Sequence, residues 1–353
     1  MAAPSIRLVL KAAAGPPKAD VARAISGALA VVDRFIIPAY RRLVEATDAQ
    51  DKAWAAFAAN RAAGDFASLR VAYHSTADAW AHAQIFKTGP ISLFLRYERF
   101  AYWPEARNVT GRMLDALLAS NDPNDLTLAT LARDSVAAQG LTALERLLYE
   151  GADPAAALKA PDGERRVAVG RGIARNLSGI ARDVLADWTA PAGVRAAIAA
   201  NKGWNNLFMD APEAASLLLT DLVGAFRLMH DLKLLPVMGA SADVARPNSA
   251  EAWRSGRSQR DLKLNLTAAQ AMTKAFAETV PAAHVTKIDG LYVAANKAVD
   301  AVPALLGQAA ADPAQRPRVE AARAAVKAVQ TEIAAVLPAD LGIPLGFNSL
   351  DGD

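Results

Sequence analysis

The chain has 353 residues, enough for two ordinary domains or one large one, and its 39 basic against 36 acidic side chains leave a net charge of +3. So small an excess, with no run of five lysines or arginines, gives no electrostatic footprint for nucleic acid. The absence of cysteine excludes disulfides, thiolate catalysis, cysteine-bound zinc and iron–sulfur clusters. Hydrophobic residues make up 53% of the chain and aromatics only 6%, and much of the apolar count is alanine. Alanine costs least in a helix and buries little area, so the composition favours closely packed helices over sheets.

Residues 1–19, with Gly15-Pro16-Pro17, read as a lead-in. From Asp20 the apolar positions Val21, Ile25, Leu29, Val32 and Phe35 recur at helical spacing, with a kink expected at Pro38. Further helices are expected over 48–63, stopping at Gly64, and over 66–87, ending near Gly89-Pro90. An aromatic stretch follows at 91–103, then helices over 106–120, 126–149 and 164–188. Residues 191–212 are irregular, so the domain boundary is placed near 195, giving helical bundles over 20–195 and 196–353. The second opens with a helix over 213–235, stopped by Pro236 and Gly239. Asn248 and Glu251 have capping-box spacing, which predicts a helix carrying Trp253 and running past Leu266. Helices over 284–301 and 318–336 complete an all-α chain of two helical-bundle lobes, without period-two alternation for strands. The paired Ala79-Trp80 and Ala252-Trp253 helices suggest a distant duplication. No apolar stretch nears the roughly 18 residues that cross a bilayer, and no signal peptide is visible at the start.

Several segments carry chemistry. In Gly140-Leu141-Thr142-Ala143-Leu144-Glu145, residues 142 and 145 share a helix face. A histidine at 142 would make a nitrogen–carboxylate metal half-site; threonine is a poor ligand, and what remains is Glu145 on an apolar turn, in need of a partner. The simplest partner is Arg146 or an arginine from another helix. In Trp253-Arg254-Ser255-Gly256-Arg257-Ser258, the two guanidinium groups share a face and suit a carboxylate, a phosphate or a buried glutamate. Gly256 inside a helix points to close approach of another backbone. Tyr102, Trp103 and the charged residues before them are core or a pocket wall. His74, Asp78 and His82 lie at four-residue spacing; they read as solvent-side, with a metal site as the sharper alternative. Asn348 and Asp351 sit in an acidic, glycine-turned tail too short for an EF-hand. No nucleophile elbow, phosphate loop or dinucleotide fingerprint is present.

Five strings, in order along nearly the whole chain, resemble the imelysin family: Phe86-Lys87-Thr88-Gly89-Pro90-Ile91, Tyr102-Trp103-Pro104, Gly140 to Glu145, Trp253 to Ser258, and Gly346-Phe347-Asn348-Ser349-Leu350-Asp351-Gly352-Asp353. The resemblance implies two helical lobes with a site between them, export to the periplasm or outer surface, a link to iron uptake with a membrane-bound iron-uptake partner, and descent shared with metallopeptidases. Its hallmark is Gly-x-His-x-x-Glu. Gly140 and Glu145 match and Thr142 does not, which weakens iron or another divalent metal as a cofactor and with it peptidase activity. The expectation is a binding protein in which Glu145, Thr142, Arg254, Ser255, Arg257, Ser258, Trp103, Tyr102, Asn348 and Asp351 contact a small ligand or metal complex. The alternatives are a metallopeptidase whose missing ligand comes from His74 or His82 beside Glu145, and a helical scaffold with a vestigial site. A joint site requires Glu145 and Arg257 within hydrogen-bonding reach.

Overall fold

A computed structural model describes residues 21–345 except 106, 121, 278 and 279. The lead-in and the tail residues Asn348 and Asp351 lie outside the described residues. The principal helices are α1 (21–59), α2 (Phe66–Ala83), α3 (Arg96–Phe100), α4 (Val109–Ala119), α5 (Gly140–Tyr149), α6 (Glu164–Thr189), α7 (211–238), α8 (Ser258–Phe276), α9 (Ala282–Asp300) and α10 (Arg316–Leu341), with single-turn helices between them. No strand occurs among the described residues; one isolated bridge joins Trp204 and Phe208.

Helix α1 runs on through Pro38, where a kink is expected, without interruption to Ala59. A π turn at Val32–Ile36 precedes the proline, which sits second in the α-helical stretch Ile37–Ala59. Proline lacks an N–H and its ring crowds the carbonyl four residues back; the wider turn before it accommodates both. The same device recurs in α7, where the π turn Leu228–Leu234 precedes Pro236 and the helix continues to Met238. The buried stripe of α1 runs through Ala28, Val32, Phe35, Tyr40 and Leu43. Its second half packs against α2 and α6. There Gly170 is needed for closeness, because a Cβ on it would lie 2.2 Å from the buried Trp54 ring. The first turns of α1 pack instead against Ala211–Arg227 and α8, and α2 also packs on α8. A single buried apolar cluster therefore runs from Ala24 to Ile343.

Two expected helices are broken. The stretch 126–149 is helical without interruption only from Gly140. Before it, Thr127 and Ser135 turn their hydroxyls onto the backbone N–H groups of Thr130 and Ala137. Such side chains offer the backbone a partner that competes with the helix. Residues 250–257 form turns rather than a helix. Ala252 and Gly256 adopt left-handed φ values of 49° and 68°, the hydroxyl of Ser258 donates to the carbonyl of Glu251 at 2.6 Å, and α8 begins only at Ser258. Gly256 serves that turn and not helix packing: a Cβ there would make only ordinary contact with Leu305 at 3.6 Å. Trp253 is thus not a helical counterpart of Trp80.

Candidate functional site

Helix α5 starts where only glycine fits. Gly140 has φ +85°, and a Cβ on it would come within 2.6 and 2.7 Å of the carbonyls of Phe100 and Arg99. Held against the end of α3, α5 sets Thr142 and Glu145 one turn apart. The Thr142 hydroxyl donates to the carbonyl of Tyr102 at 3.2 Å. Glu145 is 3% exposed. Its Oε1 accepts from the backbone N–H of Ser255 at 2.8 Å and from the Ser255 hydroxyl at 2.7 Å. Burial pushes the Glu145 carboxyl up, and the two Ser255 hydrogen bonds and the Arg254 charge only partly offset it. The ion pair expected of Glu145 belongs to its neighbour: Arg146 binds Glu150 at 2.8 Å and Glu105 at 3.3 Å.

Glu145 faces a cavity of about 400 Å³ whose wall also includes Trp80, Trp103, Thr142, Glu251, Trp253 and Arg254. Trp80 is stacked on Phe100 at 4.4 Å, which fixes that side. Arg254 lies 4.4 Å from the centre of the Trp253 ring and 3.6 Å from Glu150, and its Nε is buried without a partner. Beneath Trp103, the buried Lys233 ammonium is held by Glu251 and Asn265, with its charge 5.9 Å from the ring centre. Glu105 and Lys233 were not singled out by the sequence, because their partners, Arg146 and Glu251, lie 41 and 18 positions away.

Arg257 is placed elsewhere. Its guanidinium donates to Asp261 at 2.7 Å, to Asp78 and, at 3.0 Å, to Nδ1 of His74; none of these bonds reaches Glu145. The bridge between the two parts of the chain is Glu145 with Ser255, and Arg257 is a second tie, between α2 and the start of α8. Arg260 adds a two-pronged contact to Asp78. Because Arg257 donates to Nδ1, His74 is a neutral acceptor there and carries its proton on Nε2, which donates to the Tyr149 hydroxyl at 2.7 Å. Burial and the nearby Arg257 charge hold the His74 pKa down. His74 is therefore not solvent-side; His82 is partly buried, and burial lowers its pKa too. Ser258 is spent on the turn before α8, and Tyr102 contributes its carbonyl.

A divalent metal does not fit these residues. Thr142 offers a hydroxyl already donating to a carbonyl, and both nitrogens of His74 are engaged by Arg257 and Tyr149. Among the described residues no group of three or more histidine, aspartate or glutamate side chains is arranged to hold a metal ion.

The family model described as Imelysin, a peptidase family, matches residues 36–333. Two solved structures share the fold. An imelysin-like protein from Psychrobacter arcticum 273-4 is 17% identical, with 93% of this chain and 98% of that one covered at a TM-score of 0.74. An iron-regulated protein A precursor from Parabacteroides distasonis ATCC 8503 is 16% identical, with 93% and 97% covered at a TM-score of 0.75. No curated protein matches the chain.

Proposed function

Because the chain belongs to the imelysin family, we propose that it is an exported binding protein of iron acquisition whose cavity takes a small organic anion or the metal complex of one. The two lobes then meet at the cavity, with α5 on one side and the 251–257 turn on the other. The observation that carries this reading is Glu145, a nearly fully buried carboxyl with no ion pair among the described residues, facing a hollow of ligand size and held in place by a serine from 110 positions away. A buried acid kept without a counter-charge costs stability, and a ligand group that hydrogen-bonds it offsets that cost. Arg254, on the cavity wall, supplies a guanidinium for an anionic ligand group, and Trp103 and Trp253 supply flat walls. A metal entering this cavity comes inside its chelate, recognised by the chelate's carboxylates, and not through protein side chains. The iron-regulated relative in Parabacteroides supports the link to iron, and its description as a precursor supports export.

The test is calorimetric titration with ferric citrate. Wild type is expected to bind. The Glu145→Ala/Arg254→Ala variant is expected to bind at least tenfold more weakly, about 1.4 kcal/mol. Equal binding by both proteins contradicts the reading.

A further inference from the structure

A second hollow, of about 360 Å³, opens on the Lys87–Glu98 segment and α7. It uses the Phe86–Ile91 string, which the first cavity leaves idle. On its wall is Asp221, whose Oδ2 accepts the backbone N–H groups of Lys87 at 3.0 Å and Thr88 at 2.7 Å. Burial pushes the Asp221 carboxyl up to about 6, against the pull of Thr88 and of the Lys87 amide. Lys87 places its ammonium over the Tyr97 ring, 4.8 Å from the centre, rather than on this carboxylate. With Glu98 also on the wall, the charged groups there are two carboxylates and one ammonium.

The apolar part of the wall is Leu95, Leu207 and Leu217. Phe94 and Leu95 are consecutive residues in the left-handed region, at φ 57° and 53°, and they are 74% and 59% exposed. A left-handed backbone is strained for such residues, and here it holds two large apolar side chains in water instead of in the core. Met209, two residues after Leu207, is 72% exposed.

We propose that this hollow is a binding site for a small amphipathic cation, with a primary ammonium group beside Asp221 and a short hydrocarbon chain along Leu95, Leu207 and Leu217. An ammonium cancels the excess negative charge of this wall, where two carboxylates face one lysine. The chain covers leucine surface that is otherwise wet.

The probe is n-hexylammonium, titrated at pH 8 and followed by calorimetry and by NMR. One saturable site is expected. Asp221→Asn keeps a carbonyl for the Lys87 and Thr88 amides and removes the charge; it should weaken binding at least tenfold. Leu95→Ala, at a side chain the fold leaves exposed, should weaken it several-fold. Glu145→Gln should leave it unchanged, which separates this site from the first cavity. Wild-type affinity should fall as pH drops through about 6, where Asp221 takes up its proton. Hexanoate binding as tightly at the same site, or full binding by both Asp221→Asn and Leu95→Ala, overturns the proposal.

Discussion

Glu145 is held in the fold by hydrogen bonds to Ser255 and destabilised as an ion by burial. Its folded pKa lies above the unfolded one, so the folded chain binds this proton more tightly. Its contribution to stability is complete below the unfolded carboxyl range and is lost as pH rises through the raised folded value. Glu145→Gln keeps an acceptor for Ser255 and removes the charge. Thermal melts should show the variant gaining stability relative to wild type between pH 4 and pH 8; a variant that loses relative stability over that range contradicts the assignment. Arg257 has the opposite character. It is 2% exposed and holds Asp261, which is 4% exposed, together with Asp78. Removing it strands a buried carboxylate, so Arg257→Ala should cost about 3–5 kcal/mol in denaturant unfolding, with Arg257→Lys intermediate because it loses the fork. A loss under 1 kcal/mol contradicts the tie between α2 and α8. The sequence marked both residues, since an acid on a leucine-rich turn and paired arginines stand out, but it paired them with each other. The pairing was illegible because Ser255, the true partner of Glu145, is chemically ordinary and 110 positions away.

At the scale of elements, the long helices were legible wherever apolar residues recur at helical spacing and a strong stop follows; α6 shows this most plainly, whereas α10 runs on through Pro338 to Leu341, past the expected end at 336. The π turns were not, because one widened turn shifts the apolar stripe too little to show in the spacing before Pro38 and Pro236. The turn at 250–257 was misread because the capping-box spacing of Asn248 and Glu251 is met by residues that do not cap: Glu251 binds Lys233 instead. The start of α5 is the element on which the first cavity depends. Gly140→Ala needs a left-handed backbone and puts a methyl group within 2.7 Å of the Arg99 and Phe100 carbonyls. It should cost about 3 kcal/mol or more and abolish ligand binding even where the protein stays folded. A Gly140→Ala protein with wild-type melting and binding shows that α5 is not positioned in this way.

Across the molecule, α1 and the contact of α2 with α8 carry one core through both parts of the chain, and the first cavity lies where α5 meets the 251–257 turn. The helical class followed from composition and spacing alone. The cavity did not, because its wall comes from segments that only folding brings together. The proposed chelate-binding reading turns on threonine at 142 in place of histidine, and the sequence shows that residue directly. Equilibrium dialysis against ferric citrate labelled on both iron and citrate tests this most directly. The account predicts that wild-type protein retains iron and citrate together and that metal-free citrate competes for the site. Iron retained in stoichiometric amount without citrate would contradict it.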